Sequence, residues 1–359
     1  MIGKRIQLSL MLALTVCLVC CQGGHDNDRK PVSGTLQGTE LAAQTLEGYK
    51  IVCAYDDYLF LQESRDTSRL VVYRVEGDSL NRFRGLIDRG RGPREFYYTE
   101  FSLYGDTLFV CNGDPSGLKQ IFGISLKEMS QIDDRSGWRE YAFPDQYLMT
   151  WDYLTEYGPG RFVVAAGEAE TREILSLADC ITGERVPLRW YPPDSTDATL
   201  YSKQIVYMNC KLRSQGDRVC YAHSYARYMF IGRVEDEALV EESMIYSSLP
   251  KYEMKADENV RYLKDGENGI DIYSTSDYIF AQVGRTRKEV EKLKLYKGYP
   301  DLYFDEVEVY DWDGRFVANF QTDRPFWSFS VTPDSRFLYV MTMDLETLEN
   351  VIVRYELPL

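Results

Sequence analysis

Apolar and polar positions along this chain recur in one arrangement six times. Each copy is an apolar stretch, a tight turn carrying Gly or Asp, and a second apolar stretch. The copies read CAYDDYLFLQ from Cys53, FSLYGDTLFVC from Phe101, YLTEYGPGRFVVA from Tyr153 and CKLRSQGDRVCYA from Cys210, then DIYSTSDYIFAQ from Asp271 and FSVTPDSRFLYVM from Phe329. One residue after each turn marks the period: Tyr58, Leu108, Phe162, Val219, Tyr278 and Phe337, with gaps of 50, 54, 57, 59 and 59 residues. A near-constant period of this size predicts an array of one supersecondary unit.

A third apolar stretch follows each pair: Leu70 to Val75, Leu118 to Ile124, Glu173 to Leu177, Tyr228 to Val234, Val307 to Tyr310 and Val351 to Leu357. Most alternate, as half-buried strands do. A fourth, weaker stretch follows in five of the six units, for example Leu80 to Gly85, Val186 to Trp190 and Phe316 to Gln321. Each unit therefore reads as a four-stranded antiparallel meander. One twisted meander cannot bury both faces alone, and radial packing of such units does so. The expected fold is all-β: a six-bladed β-propeller over residues 35–359. The sixth unit runs out of chain after its third strand, so Thr35 to Leu46 is expected to close the ring by pairing with Val351 to Leu357. Unit five carries an insert, Gly284 to Tyr303, in which Thr286 to Lys297 reads as a short charged helix or irregular lid.

The 14% aromatic content, with 28 Tyr, favours strands over helices. A net charge of −15 argues against nucleic acid and against a basic membrane-binding face. Residues 1–20 read as a signal peptide: Lys4 and Arg5 precede an apolar run from Ile6 to Cys20 that is too short to span a membrane. The run ends Leu18-Val19-Cys20-Cys21, which resembles a bacterial lipoprotein signal with Leu18 three residues before a lipidated Cys21. Cys20 is the alternative, and it stands where the pattern has Gly, Ala or Ser. Each buried CH₂ contributes roughly 0.8 kcal/mol, so a multiply acylated cysteine would hold the protein on a membrane. Residues 21–34 read as a flexible tether. Of the remaining cysteines, Cys53 and Cys111 lie in apolar strands and read as buried thiols. Cys210 and Cys220 flank a turn, where a cross-strand disulfide or two free thiols would fit. With Cys180 the propeller cysteines are odd in number, which leaves at least one thiol unpaired.

Arg89-Gly-Arg-Gly-Pro-Arg-Glu-Phe96 lies between units one and two. A G-x-G-P-x-E-F loop behind a lipoprotein signal resembles the TolB-like six-bladed propeller lipoproteins of Bacteroidetes. Gly90, Gly92, Pro93, Glu95 and Phe96 match, while Arg94 stands where that family often has Gly. The Tyr310-Asp-Trp-Asp-Gly314 segment also fits. The resemblance covers the mature chain. It implies a propeller on an outer-membrane-anchored lipoprotein, facing the periplasm or the surface, and implies no particular activity.

Candidate chemistry is sparse. Arg89, Arg91 and Arg94, with Glu95, form a basic spot whose guanidinium forks suit carboxylate, sulfate or phosphate. A structural reading competes: the glycines allow left-handed backbone, Pro93 fixes φ, and Glu95 pairs with an arginine. This loop and the unit-five insert are expected on one face, near the channel mouth. His223 is the one histidine in the propeller, and it reads as packed rather than catalytic. Asp311-Trp-Asp-Gly314 reads as an Asp-Gly turn rather than a calcium loop. Trp138, Trp151 and Trp327 read as core, with sugar stacking as the alternative. No catalytic residues, metal ligands or cofactor are assigned. The expected role is non-catalytic binding at the channel face. The partners would be the membrane, through the lipid, and a carbohydrate, a small anionic ligand or an envelope protein, but not nucleic acid. The rivals are an envelope hydrolase or lyase acting on a glycan or lactone, and an accessory subunit of an outer-membrane complex.

Overall fold

A computed structural model describes residues 30–359, apart from 47, 64–67, 91–94, 97, 114–118, 143–147, 168–171, 256–259, 264–268, 285–303 and 345. Cys21, Arg91, Arg94 and the expected lid helix thus lie outside the described residues.

The arrangement is all-β and propeller-like. Unit one pairs Lys50–Tyr55, Tyr58–Gln62, Ser68–Glu76 and Ser79–Arg89 antiparallel in chain order. Unit two does the same with Tyr98–Tyr104, Thr107–Gly113, Lys119–Ser125 and Arg139–Ala142. Unit three uses Leu148–Gly158, Arg161–Gly167, Leu175–Asp179 and Glu184–Pro187. Unit four uses Cys210–Gln215, Arg218–His223, Tyr228–Glu235 and Ala238–Ser247. Unit five uses Ile270–Ser274, Tyr278–Val283, Phe304–Asp311 and Phe316–Phe326. Unit six has Ser328–Val331, Phe337–Met343 and Asn350–Glu356 from its own sequence. The anticipated partner for its last strand is present: Thr39–Ala43 pairs antiparallel with it, Leu41 opposite Ile352. The same short strand continues in parallel register onto unit one, Ala42 opposite Ser79.

Second strands are apolar at successive positions because both sheet faces are covered. Leu59, Phe60 and Leu61 are all fully buried. Phe60 and Val72 join Leu108 and Val110 of unit two, whereas Leu59 and Leu61 join Tyr339 and Met341 of unit six. Phe109 meets Phe162 edge-on, with centroids 5.2 Å apart, between units two and three. Val163 packs with Tyr221, Cys220 with Ile279, and Phe280 with Leu338 across the remaining boundaries. Burying one such side chain contributes about 1.5–3 kcal/mol, so the packed boundaries between units stabilise the fold.

Four features depart from the sequence pattern or add to it. Cys210 and Cys220 are free thiols: Cys210 stands opposite His223 and Cys220 opposite Arg213, so the two are offset along the hairpin and never face each other. The fourth strand of unit three ends at Pro187, and Trp190 beyond it turns away to lie 4.9 Å from the Tyr221 ring of unit four. A helix, Leu200–Met208, bridges units three and four; Thr199 caps it by accepting from the Ser202 amide at 3.2 Å, and Val206, Tyr207 and Met208 anchor it in the core. Ahead of Thr39–Ala43, Gly34–Leu36 lies parallel to the last strand of unit five. There the Ser33 amide donates to the Asn319 carbonyl at 2.7 Å.

Candidate ligand cavity

In every unit the first strand turns back into the second at the same end of the sheet. Turns from units one, two, four, five and six enclose a cavity of about 390 Å³. Its lining includes Tyr55, Tyr104, Asp106, Ser214, Gln215, Tyr273, Ser274, Thr275, Ser276 and Pro333. Hydroxyls and tyrosine rings dominate, a chemistry suited to a small polar ligand.

These side chains are held by bonds that run from unit to unit. Ser214 Oγ lies 2.8 Å from Thr155 Oγ1 of unit three. Thr275 Oγ1 lies 2.8 Å from Ser335 Oγ of unit six, and the Trp312 indole donates to the Thr275 carbonyl at 3.1 Å. Ser330 Oγ accepts from the Ala54 amide of unit one at 2.8 Å. At the rim, Lys127 Nζ lies 2.6 Å from Asp106 Oδ2. Burial, with the nearby Asp56 and Asp106 charges, raises the Tyr55 phenol, so Tyr55 presents a neutral hydroxyl.

Deeper in the same region Arg213 lies against Tyr273, its guanidinium carbon 5.9 Å from the ring centroid. Arg213 and Tyr273 each stand three residues before the turn of their unit, at Gly216 and Ser276. Cys53, Ser102 and Ser330 hold the same position in units one, two and six. Of this layer only Tyr273 lines the cavity, and neither the layer nor the lining carries a motif in the sequence.

A second recess of about 490 Å³ opens at the same end between units six and one, lined by Asp56, Asp57, Asp334, Arg336, Phe337 and Arg354 among others. The Phe337 ring carries Arg336 at 4.7 Å and Arg354 at 5.4 Å. Arg354 also donates to Asp78 at 2.8 Å, so its charge is already matched.

Of the residues singled out from sequence, Arg89 closes the last strand of unit one and pairs through its backbone with Phe96, while Asp88 pairs with Glu95. The Gly90 amide donates to the Phe96 carbonyl at 3.1 Å. A Cβ on residue 90 would meet the Glu95 side chain, which packs back over the glycine. Phe96 stacks on Phe122 at 5.2 Å, with Arg135 5.7 Å from its ring. This loop joins a fourth strand to a following first strand, at the strand ends opposite the cavity.

His223 is fully buried. Nε2 donates to the Val206 carbonyl at 3.0 Å and Nδ1 accepts from the Tyr225 amide at 3.0 Å. Both nitrogens are engaged, and burial lowers its pKa to about 4. At Asp311-Trp-Asp-Gly314 the Asp311 carboxylate accepts from the Asp313 and Arg315 amides at 3.0 and 2.8 Å, and Gly314 has φ +79°. That is the anticipated Asp-Gly turn. Trp138 donates to the Ile132 carbonyl at 2.9 Å and Trp327 to the Tyr49 carbonyl at 2.8 Å, each packed against a core cluster; the Trp151 side chain lies outside the described residues. Among the described residues no group of three His, Cys, Asp or Glu side chains is placed to hold a metal ion.

No protein-family model and no curated protein matches the chain. Among solved structures it is similar to U3-55K, at 10% identity and a TM-score of 0.43, over 90% of this chain and 100% of that one. It is also similar to the RRP9 WD40 repeats, at 10% identity and a TM-score of 0.42, over 91% of this chain and 99% of that one.

Proposed function

We propose that the protein is a six-bladed propeller, lipid-anchored through Cys21 in a bacterial cell envelope, that binds a small polar ligand without catalysing its conversion. The convergence of turns from five units on one hydroxyl- and tyrosine-lined cavity carries the binding reading. Support for six blades comes from the succession of packed boundaries, in which unit six also packs on unit one and shares Thr39–Ala43 with it. The anchor rests on the sequence before Cys21, and the kinship with TolB-like lipoproteins on the Gly90–Phe96 loop.

Full-length protein in detergent, applied to an array of neutral and acidic glycans, tests the binding site. Ser276 is exposed at the cavity rim, and Ser276→Trp should abolish binding with the fold intact. Binding that survives Ser276→Trp but is lost in Arg91→Ala or Arg94→Ala would move the site to the basic loop. Incorporation of a labelled fatty acid in a bacterial host, lost in Cys21→Ser, tests the anchor.

A further inference from the structure

We propose that the cavity takes a neutral sugar and discriminates against acidic ones, with Asp106 and its partner Lys127 as the charged contact at the rim. This rests on the cavity being a binding site and adds the chemistry of its occupant.

Tyr55, Tyr104 and Ser274 are half-buried and Gln215 and Ser276 exposed, so all five can be reached from the cavity they line. Among the described residues none of these side chains has a hydrogen-bond partner. Two phenols, two alcohols and an amide thus stand open, each able to donate and to accept. Phenol rings beside such groups suit the faces and hydroxyls of a sugar ring. Ligand pockets run from roughly 300 to 1,000 Å³, so about 390 Å³ fits a small saccharide or the end of a longer one. Asp106 is the charged side chain of the lining, and among the described residues no Lys, Arg or His joins it there. It is 37% exposed, with Oδ2 2.6 Å from Lys127 Nζ and Oδ1 taking a long 3.4 Å bond from the Thr107 hydroxyl. A carboxylate and an ammonium side by side offer an acceptor and a donor together, a pattern that adjacent sugar hydroxyls complete.

The charge around the mouth disfavours anions. The turns that form the cavity carry Asp56 beside Tyr55, Asp277 beside Ser276 and Asp334 beside Pro333. The Asp56 and Asp106 charges both bear on the Tyr55 phenol. Asp334 accepts from the Thr332 hydroxyl at 2.5 Å and the Arg336 amide at 3.1 Å, while the Arg336 guanidinium packs on Phe337 and faces Glu356. Asp56 and Asp277 are exposed, and among the described residues no cation pairs with either. Arg213 packs on Tyr273 without lining the cavity, so no guanidinium of the lining meets a ligand there. An incoming carboxylate or sulfate would lose water against this field with no cation of the lining to receive it, whereas neutral hydroxyls would not. The field is short-ranged, screened beyond about 8 Å at physiological salt.

An array of matched pairs, each neutral glycan beside its sulfated or uronic-acid counterpart, tests this on the full chain in detergent. At least one neutral glycan should bind, with its acidic counterpart at least tenfold weaker, and Ser276→Trp should abolish the signal. Asp106→Asn should weaken the neutral glycan about tenfold to a hundredfold. Asp56→Asn combined with Asp277→Asn should narrow the gap between neutral and acidic glycans severalfold, as should salt well above physiological strength. Asn suits the left-handed backbone of Asp56, at φ +47°, so this double variant should keep the fold even if Asp106→Asn does not. Acidic glycans bound as tightly as their neutral partners, and lost in Ser276→Trp, overturn the charge selection while the cavity reading stands. A gap unmoved by the double variant and by salt overturns its assignment to these carboxylates, and neutral binding indifferent to Asp106→Asn overturns the rim contact. Glycan binding that ignores Ser276→Trp, or none on the array, overturns the cavity reading and the inference with it.

Discussion

Thr155 Oγ1 and Ser214 Oγ, 2.8 Å apart and buried, join the first strands of units three and four beside the cavity. Ser214 also donates to the Glu156 carbonyl. Ser214→Ala should lower unfolding free energy by about 1–2 kcal/mol, since it leaves a buried acceptor unmet. Thr155→Ala should cost a similar amount, and the double variant less than their sum. Denaturant titration of the three variants decides it; strict additivity would show that the hydroxyls do not act as a pair.

Acid should reveal His223. Its pKa is about 4 in the folded protein against an ordinary 6.5, because burial disfavours the imidazolium. The unfolded chain therefore takes up the proton first. The stability this contributes is present above pH 6.5 and is lost as pH falls from 6.5 towards 4, by about 3 kcal/mol at most. His223→Gln should be less stable at pH 7 yet show a shallower decline over that window. Parallel slopes for both proteins would contradict the buried neutral imidazole.

The strand Thr39–Ala43 should be needed for stability. Leu41 is 3% exposed and packs with Ile352 and Leu80, so Leu41→Ala should cost about 2–4 kcal/mol. Deleting Thr35 to Leu46 should lower the melting temperature further. A deletion variant that melts like the parent would remove this strand from the architecture.

Gly160 combines φ +70° with crowding: a Cβ at this position would sit 2.9 Å from the Ile181 side chain. Gly160→Ala should destabilise by about 1–3 kcal/mol, and Ile181→Ala should relieve only the steric part in the double variant. Thermal melts of the pair separate backbone strain from crowding.

Much of the scaffold was readable because burial on both faces forces continuous apolar runs such as Tyr58–Gln62, and these survive as a period. The link between Thr39–Ala43 and Asn350–Glu356 was readable because unit six shows only three strands of its own. Other features depended on neighbours distant in sequence. The helix Leu200–Met208 carries no assignment from the sequence; the Thr199 cap and packing of Val206 and Tyr207 in one core cluster with Trp190 hold it. The hairpin register, not the spacing, separates Cys210 from Cys220.

Pairing Thr39–Ala43 with Asn350–Glu356 also sets an order of events during synthesis. A strand that leaves the ribosome ahead of unit one waits for its antiparallel partner until unit six is made. Units one to five can form their own hairpins as they emerge, but Thr39–Ala43 can pair with Asn350–Glu356 only once that strand has been made. Until then the edge of Thr39–Ala43 that receives Asn350–Glu356 stays open to pairing with other chains, so the nascent protein is most vulnerable to misassembly before that strand emerges.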